Sequence, residues 1–112
     1  MTEAWHIRAG DTDAALAATP EPFVTALTSG SMRFLLFAPR DLDTQRPHTQ
    51  DELYIVRSGS GHFVRGGERV AFSLGDALFV PAGVEHRFEN MSDDFETWVV
   101  FWGPKGGEQG ET

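Results

Sequence analysis

Short apolar segments alternate with turn residues along most of this chain. From residue 23 to residue 102, apolar segments recur at spacings of about ten residues, separated by Gly, Pro, Asn, Asp or Ser. Short strands with regularly placed turns are typical of an antiparallel sandwich or barrel. The pattern therefore predicts an all-β domain of about eight or nine strands, without an internal repeat.

The individual strands follow from these segments and the turns between them. A turn at 28–31 separates two strands, 23–27 and 32–37, which we expect to form a hairpin. Further strands are predicted at 46–57, 62–65, 69–72, 77–80, from His86 onward, and at 95–102. Their aromatic residues predict the core: Phe34, Phe37, Phe72, Phe79, Phe88, Trp98 and Phe101.

The two ends of the chain differ from this strand-rich middle. Cap residues and strong helix formers follow Asp11, and Pro20 ends the segment, so we expect a short helix within an N-terminal arm at 1–22. The barrel would then occupy 23–102. Residues 103–112 are Gly-rich and charged, which predicts a disordered C-terminal tail.

One predicted strand has polar residues at every second position. If the chain is extended from residue 46, alternation places five side chains on one face: Arg46, His48, Gln50, Glu52 and Tyr54. The interior of a small barrel would accept such groups only with partners, whereas a surface would accept them freely. A surface ion pair of His48 with Glu52 therefore stays open as an interpretation beside a metal site.

The segment Gly75–Asn90 makes a metal site a more specific hypothesis. It contains a short strand, a turn with Pro and Gly, and a second strand that carries His86 near its start. With His48 and Glu52, this residue would complete a set of two imidazoles and one carboxylate. Such a set suits a first-row divalent ion and leaves coordination positions open, and Gln50 could add a weak oxygen ligand.

Composition and charge narrow the class of partner. The net charge is −8 and the nine Lys and Arg residues are scattered singly, which argues against a nucleic-acid-binding surface. No apolar run approaches the ~18 residues that a membrane span needs. There is no Cys, and the N-terminus does not resemble a signal peptide. We therefore expect a cytoplasmic protein without a nucleic-acid or membrane partner.

The two polar stretches together resemble the motifs of the cupin superfamily, in particular its small single-domain bacterial members. The second cupin motif reads G-x5-P-x-G-x2-H-x3-N, and every specified position is present: Gly75, Pro81, Gly83, His86 and Asn90. In the first motif, G-x5-H-x-H-x3,4-E-x6-G, the matching residues are His48, Glu52 and Gly59. Arg46 replaces the first His of that motif, and Arg40 replaces its leading Gly.

The resemblance implies an antiparallel double-stranded β-helix, or jelly-roll barrel, with a short N-terminal helix or arm. It also implies that His48, Glu52 and His86 hold Fe, Mn, Ni or Zn, with Gln50 or water completing the set. Arg46 could repel this cation or pair with a substrate carboxylate, and Tyr54 or Arg46 could orient the substrate. Small cupins often dimerise, and we expect a homodimer through the apolar strands at 32–37 and 95–102.

Cupins carry out several chemistries on one barrel, so the fold alone does not select a function. The two imidazoles and one carboxylate predict a metal-dependent, dioxygenase-like oxidoreductase acting on a small molecule. A non-enzymatic protein that binds or senses a small molecule is the alternative that the missing first His favours. Metal-assisted isomerisation of a sugar or keto acid would use the same ligands.

Overall fold

Two antiparallel sheets and one short helix form the part of the chain that the computed structural model describes, residues 5–40, 43 and 47–108. The elements are α1 (Ala9–Ala17), β1 (Phe23–Ser29), β2 (Met32–Phe37), β3 (Asp51–Ser58), β4 (Ser60–Arg65), β5 (Glu68–Ser73), β6 (Ala77–Val80), β7 (His86–Glu89) and β8 (Glu96–Trp102). The larger sheet has the order β1-β2-β8-β3-β6 and the smaller β5-β4-β7. The predicted jelly-roll barrel with a short N-terminal helix is confirmed.

The larger sheet joins strands from both ends of the chain. β1 and β2 pair from Phe23 opposite Phe37 to Ser29 opposite Met32, so the predicted hairpin is confirmed. β8 then lies between β2 and β3 and pairs with both. This crossover aligns side chains of three strands that are far apart in sequence.

The core lies between the inner faces of the two sheets. Along β3, alternation buries Glu52, Tyr54 and Val56, while Ile55 on the outer face is 39% exposed. Aromatic rings from both sheets pack at close range in this core: Tyr54, Phe63, Phe72, Phe88 and Phe95. The prediction that Phe79 belongs to the core was wrong, because Phe79 lies on the outer face and is 45% exposed.

Ion pairs attach the N-terminal helix to the larger sheet. Arg57 in β3 donates hydrogen bonds to both carboxylate oxygens of Asp13 in α1, one of them at 2.8 Å, and to Glu96 Oε1 in β8 at 2.9 Å. The helix begins at Ala9, slightly earlier than the sequence predicts, and ends before Pro20. No helix among the described residues is long and apolar enough to cross a membrane.

The strand that carries the polar residues is shorter than predicted. β3 begins at Asp51, and residues 47–50 before it have no strand structure. Simple alternation from residue 46 therefore does not determine which way His48 and Gln50 face. Arg46, at the start of the predicted run, lies outside the described residues.

The segment after β8 also differs from its prediction. Residues 103–108 form turns that contact the beginning of β3, rather than starting a disordered tail. Gly106 N–H donates to the Thr49 carbonyl at 2.7 Å, and Glu108 N–H donates to Asp51 Oδ2 at 2.9 Å. Residues 109–112 lie outside the described part of the chain.

Candidate metal centre

Glu52 lies on the inner face of β3, in the middle of the larger sheet. It is 1% exposed and stands opposite Phe101 in β8 and Val80 in β6. Both of its carboxylate oxygens are buried without a hydrogen-bond partner among the described residues. Burying a charge in this way is costly unless a proton or a cation compensates it.

His86 stands at the start of β7, and its orientation is fixed by the turn before it. The Val84 carbonyl lies 2.9 Å from His86 Nδ1, and because a carbonyl only accepts, Nδ1 carries the proton. In the neutral ring, the lone pair therefore lies on Nε2, which points into the barrel. A backbone carbonyl in this position is the usual way in which proteins orient a metal-binding imidazole.

His48 is connected to the turn that carries His86. Gly83 N–H donates to the His48 carbonyl at 2.8 Å, and Gly83 has φ +81°, a conformation that favours glycine. Asp51 supports the same turn, because its Oδ1 accepts the Ala82 N–H at 3.0 Å. The two motif segments therefore hold each other in place through their backbones.

The structure brings together three predicted ligands. His86 Nε2 is 3.1 Å from Glu52 Oε1, and His48 Nε2 is 3.9 Å from the same oxygen. One ligand atom of each residue lies within 4.8 Å of the others. Despite this proximity, His86 Nε2 and both Glu52 oxygens make no hydrogen bond with the described residues. A divalent cation between them would satisfy all three atoms, so the donor set fits a first-row metal ion.

The pKa values of the two imidazoles are shifted in opposite directions. Burial lowers the pKa of His48, and the Glu52 carboxylate only partly offsets this effect. Burial also acts to lower the pKa of His86, but the Glu52 carboxylate and the Val84 carbonyl outweigh it and raise that pKa. Because a metal ion binds the neutral imidazole, it would compete with protonation of His86 at Nε2.

Two residues of the cluster, His48 and Glu52, line a cavity of about 720 Å³. Its walls near the ligands are largely apolar and come from inward-facing residues of β2 and β8: Leu35, Phe37, Val99 and Phe101. The end of α1 and the segment after it line the far side. A cavity of this size and character suits a small-molecule ligand.

The other predicted site residues lie elsewhere or serve other contacts. The Gln50 amide donates to the carbonyls of Ser31 at 3.0 Å and Gly103 at 2.9 Å, so its role as a ligand stays a prediction. Tyr54 is fully buried, and its ring centroid is 6.1 Å from that of His86. Its complete burial beside the ligands favours a role in core packing. Its contact with a substrate stays a prediction. Arg46 lies outside the described residues.

Two residues of the site were missed by the sequence analysis. Asp43 is buried on the cavity wall, and its Oδ2 accepts the Phe88 N–H at 2.8 Å. Arg33 also lines the cavity, although it is exposed to solvent. The period of two along β2 could have identified Arg33, because Leu35 and Phe37 on the same face are buried.

This architecture defines a class: a small antiparallel barrel with a candidate mononuclear metal centre inside it. A model of the family described as "Cupin domain" matches residues 33–102. The chain therefore belongs to the cupin family, as its motifs predicted.

Individual relatives agree with this assignment. An uncharacterised protein of Streptomyces coelicolor is 35% identical over 100 residues, which cover 88% of this chain and 95% of that protein. A structure of a cupin 2 conserved barrel domain protein from Salinispora arenicola has a TM-score of 0.68 at 22% identity and covers 89% of this chain and 90% of that one. Acireductone dioxygenase of Drosophila pseudoobscura is 40% identical over 57 residues, 46% of this chain but only 30% of the enzyme.

Proposed function

We propose that this cupin is a metal-dependent oxidoreductase of the dioxygenase type, acting on a small molecule, with the ion held by His48, Glu52 and His86. The observation that carries the proposal is the set of buried, unpartnered atoms at Glu52 and His86. The partial similarity to acireductone dioxygenase supports the reaction class. A bound Fe, Mn, Ni or Zn ion would supply open coordination positions to a substrate.

The residues of the chain have separate roles in this proposal. The Val84 carbonyl keeps His86 in the tautomer whose Nε2 can coordinate an ion. Glu52 supplies the negative charge that compensates a cation in the barrel interior. The apolar walls from Leu35 and Val99 limit access of water to the bound substrate.

Metal binding is tested first. Protein purified without a chelator or a His tag is analysed for its elements and titrated with Fe(II), Mn(II), Ni(II) and Zn(II). We expect wild type to bind about one ion per chain. His86→Ala should lose the ion because it removes one of the three ligands, whereas His62→Ala removes none and should keep it. If wild-type protein binds none of these ions, the proposal fails.

Turnover separates the enzyme from the alternative, a protein that binds a small molecule without reaction. The apolar cavity would serve either function. A dioxygenase consumes oxygen when the metal-loaded protein meets its substrate, and acireductone-like enediols are the first candidates to test. A binding protein would instead show ligand-dependent stabilisation without oxygen consumption. The cytoplasmic location predicted from the sequence belongs to both proposals.

We also propose that the protein is a homodimer that uses the outer face of the larger sheet. Phe79 and Ile55 are 45% and 39% exposed there, and Phe79 lies beside Trp102 with ring centroids 6.1 Å apart. Neighbouring exposed apolar residues on a sheet are typical of an interface. Light scattering should give a dimer mass for wild type and a monomer mass for Phe79→Lys. Val70→Lys, at a 47% exposed residue of the other sheet, is the matched control.

A further inference from the structure

Arg33 lies in line with the candidate metal centre on the inner face of the larger sheet. It stands opposite Phe101 in β8, and Phe101 stands opposite Glu52 in β3. Adjacent strands are about 4.8 Å apart, so the backbones at Arg33 and Glu52 are separated by about 10 Å. Both side chains line the same cavity.

The guanidinium of Arg33 is held in position but is not neutralised. It lies over the Phe101 ring, 4.8 Å from the ring centroid, which favours one orientation of its plane. Every other described arginine has a hydrogen-bond or ion-pair partner: Arg8, Arg40, Arg57, Arg65, Arg69 and Arg87. Within the described part of the chain, Arg33 has none. Arg33 is exposed and lines the cavity, so a ligand there can reach its N–H groups.

A guanidinium that lines a cavity and has no partner among the described residues is suited to bind an anionic ligand. The planar fork of N–H donors matches a carboxylate or a phosphate. Glu52 and Asp43 line the same cavity and repel a dianion more strongly than a monoanion. This surrounding charge favours a carboxylate over a phosphate.

We propose that Arg33 binds the carboxylate of the substrate, so that the substrate is a small organic acid with oxygen donors at the end directed towards His48, Glu52 and His86. The direction of the substrate rests on the proposed metal function, whereas the carboxylate contact does not require the ion. Phe101 restricts the guanidinium before the ligand arrives, which lowers the entropy lost on binding. Arg33 is thus a positioning residue and does not ligate the metal.

The test uses glutaramate, a monoanion, as the carboxylate probe, with neutral glutaramide and inorganic phosphate as comparisons. Binding is measured by calorimetry on wild type, Arg33→Gln, Arg33→Lys and the control Arg69→Gln, each with and without metal. We expect Arg33→Gln to weaken glutaramate binding about tenfold or more, Arg33→Lys to have an intermediate effect, and Arg69→Gln to change it less than about twofold. Metal affinity should not fall in any of these variants, because none of them removes a metal ligand.

The outcomes separate this inference from the proposed function. Equal glutaramate binding by wild type and Arg33→Gln, no glutaramate binding by wild type, or equally tight glutaramide binding would each overturn the role of Arg33. Tighter binding of phosphate than of glutaramate would overturn the choice of a carboxylate. If wild type binds no metal but still binds glutaramate through Arg33, the metal function fails and the carboxylate site stands.

Discussion

At Glu52, the requirements of protein stability and of metal binding conflict most directly. Its carboxylate is buried among apolar strands, where a charge lowers stability unless it is compensated. Glu52→Gln keeps the shape of the side chain and removes the charge. At alkaline pH, where imidazoles are neutral, we expect the metal-free variant to be as stable as wild type or more stable.

The same variant should lose metal affinity by about 100-fold or more, because a ligand is lost rather than a supporting contact. Chemical denaturation of metal-free protein and metal titration measure the two effects. A fall of more than about 2 kcal/mol in the unfolding free energy of the metal-free variant would show that Glu52 has a structural partner instead.

Gly59 shows how a motif position can be required by packing as well as by backbone conformation. It has φ +84°, and a Cβ there would lie 2.4 Å from Ser92 Oγ and 2.7 Å from Phe95 Cα. Gly30 also has a positive φ, +56°, but a Cβ there would meet nothing within 4 Å. A side chain at either position would therefore adopt a strained backbone conformation. Only at Gly59 would it also clash with neighbouring atoms.

We therefore expect Gly59→Ala to destabilise the protein by about 2–4 kcal/mol and Gly30→Ala by only about 1 kcal/mol. The difference between the two denaturation curves measures the close approach of the β3–β4 turn to the segment before β8. Equal losses would mean that backbone strain alone explains the glycine in the motif.

The contrast between His86 and Arg33 shows how far the sequence alone determines the site. Fixed Gly and Pro spacing places His86 on a defined strand, so its role could be predicted from local turn geometry. Arg33 is inward only because β2 pairs with β8, which is distant in sequence. Asp43 and the Phe88 N–H, which form a hydrogen bond, are also far apart in sequence, and no local sequence pattern predicts this contact.

At the scale of elements, strand positions could be predicted and strand ends could not. The apolar segments agree with all eight described strands, because alternation and turns are local properties. The start of β3 was predicted too early, since Pro47 and polar residues precede it. The contacts of residues 103–108 depend on backbone hydrogen bonds to Thr49 and Asp51, which composition does not reveal.

The attachment of α1 to the sheet should depend on pH. Its hydrogen bonds with Arg57 lower the pKa of Asp13 below the ordinary 3.8, whereas burial and the nearby Asp13 raise the pKa of Glu96 above 4.5. The Asp13 contribution to stability is therefore present above pH 3.8 and is lost as the pH falls through its lower folded value. The Glu96 contribution to stability has the opposite sign. When the pH falls and Glu96 is protonated, its repulsion with the Asp13 carboxylate is relieved.

We expect Arg57→Met to lower the thermal unfolding midpoint at pH 6, with a difference from wild type that shrinks as the pH falls below 3.8 towards the lowered folded pKa of Asp13. Differential scanning calorimetry across this range measures the effect. Arg69→Met is the control, because Arg69 pairs with Glu89 in the other sheet. A difference that stays constant down to pH 2 would indicate that Arg57 acts mainly through the contact of its guanidinium with the Trp98 ring, 5.5 Å from the ring centroid, and not through its carboxylate partners.

For the whole molecule, the metal centre would join the two sheets. Glu52 belongs to the larger sheet and His86 to the smaller one. An ion held by both binds the folded barrel and not the separated strands, so it must stabilise the fold as a whole. At a free metal concentration 100 times the dissociation constant, the expected gain is about 2.7 kcal/mol.

Thermal denaturation with each candidate metal, and again after a chelator, measures this gain. His86→Ala should remove the metal-dependent part and His62→Ala should keep it, because His62 lies outside the ligand cluster. The two sheets should also become protected together in hydrogen exchange, since one ion contacts both. If an ion binds but protects only the larger sheet, it is held by His48 and Glu52 without His86, and the three-ligand assignment is wrong.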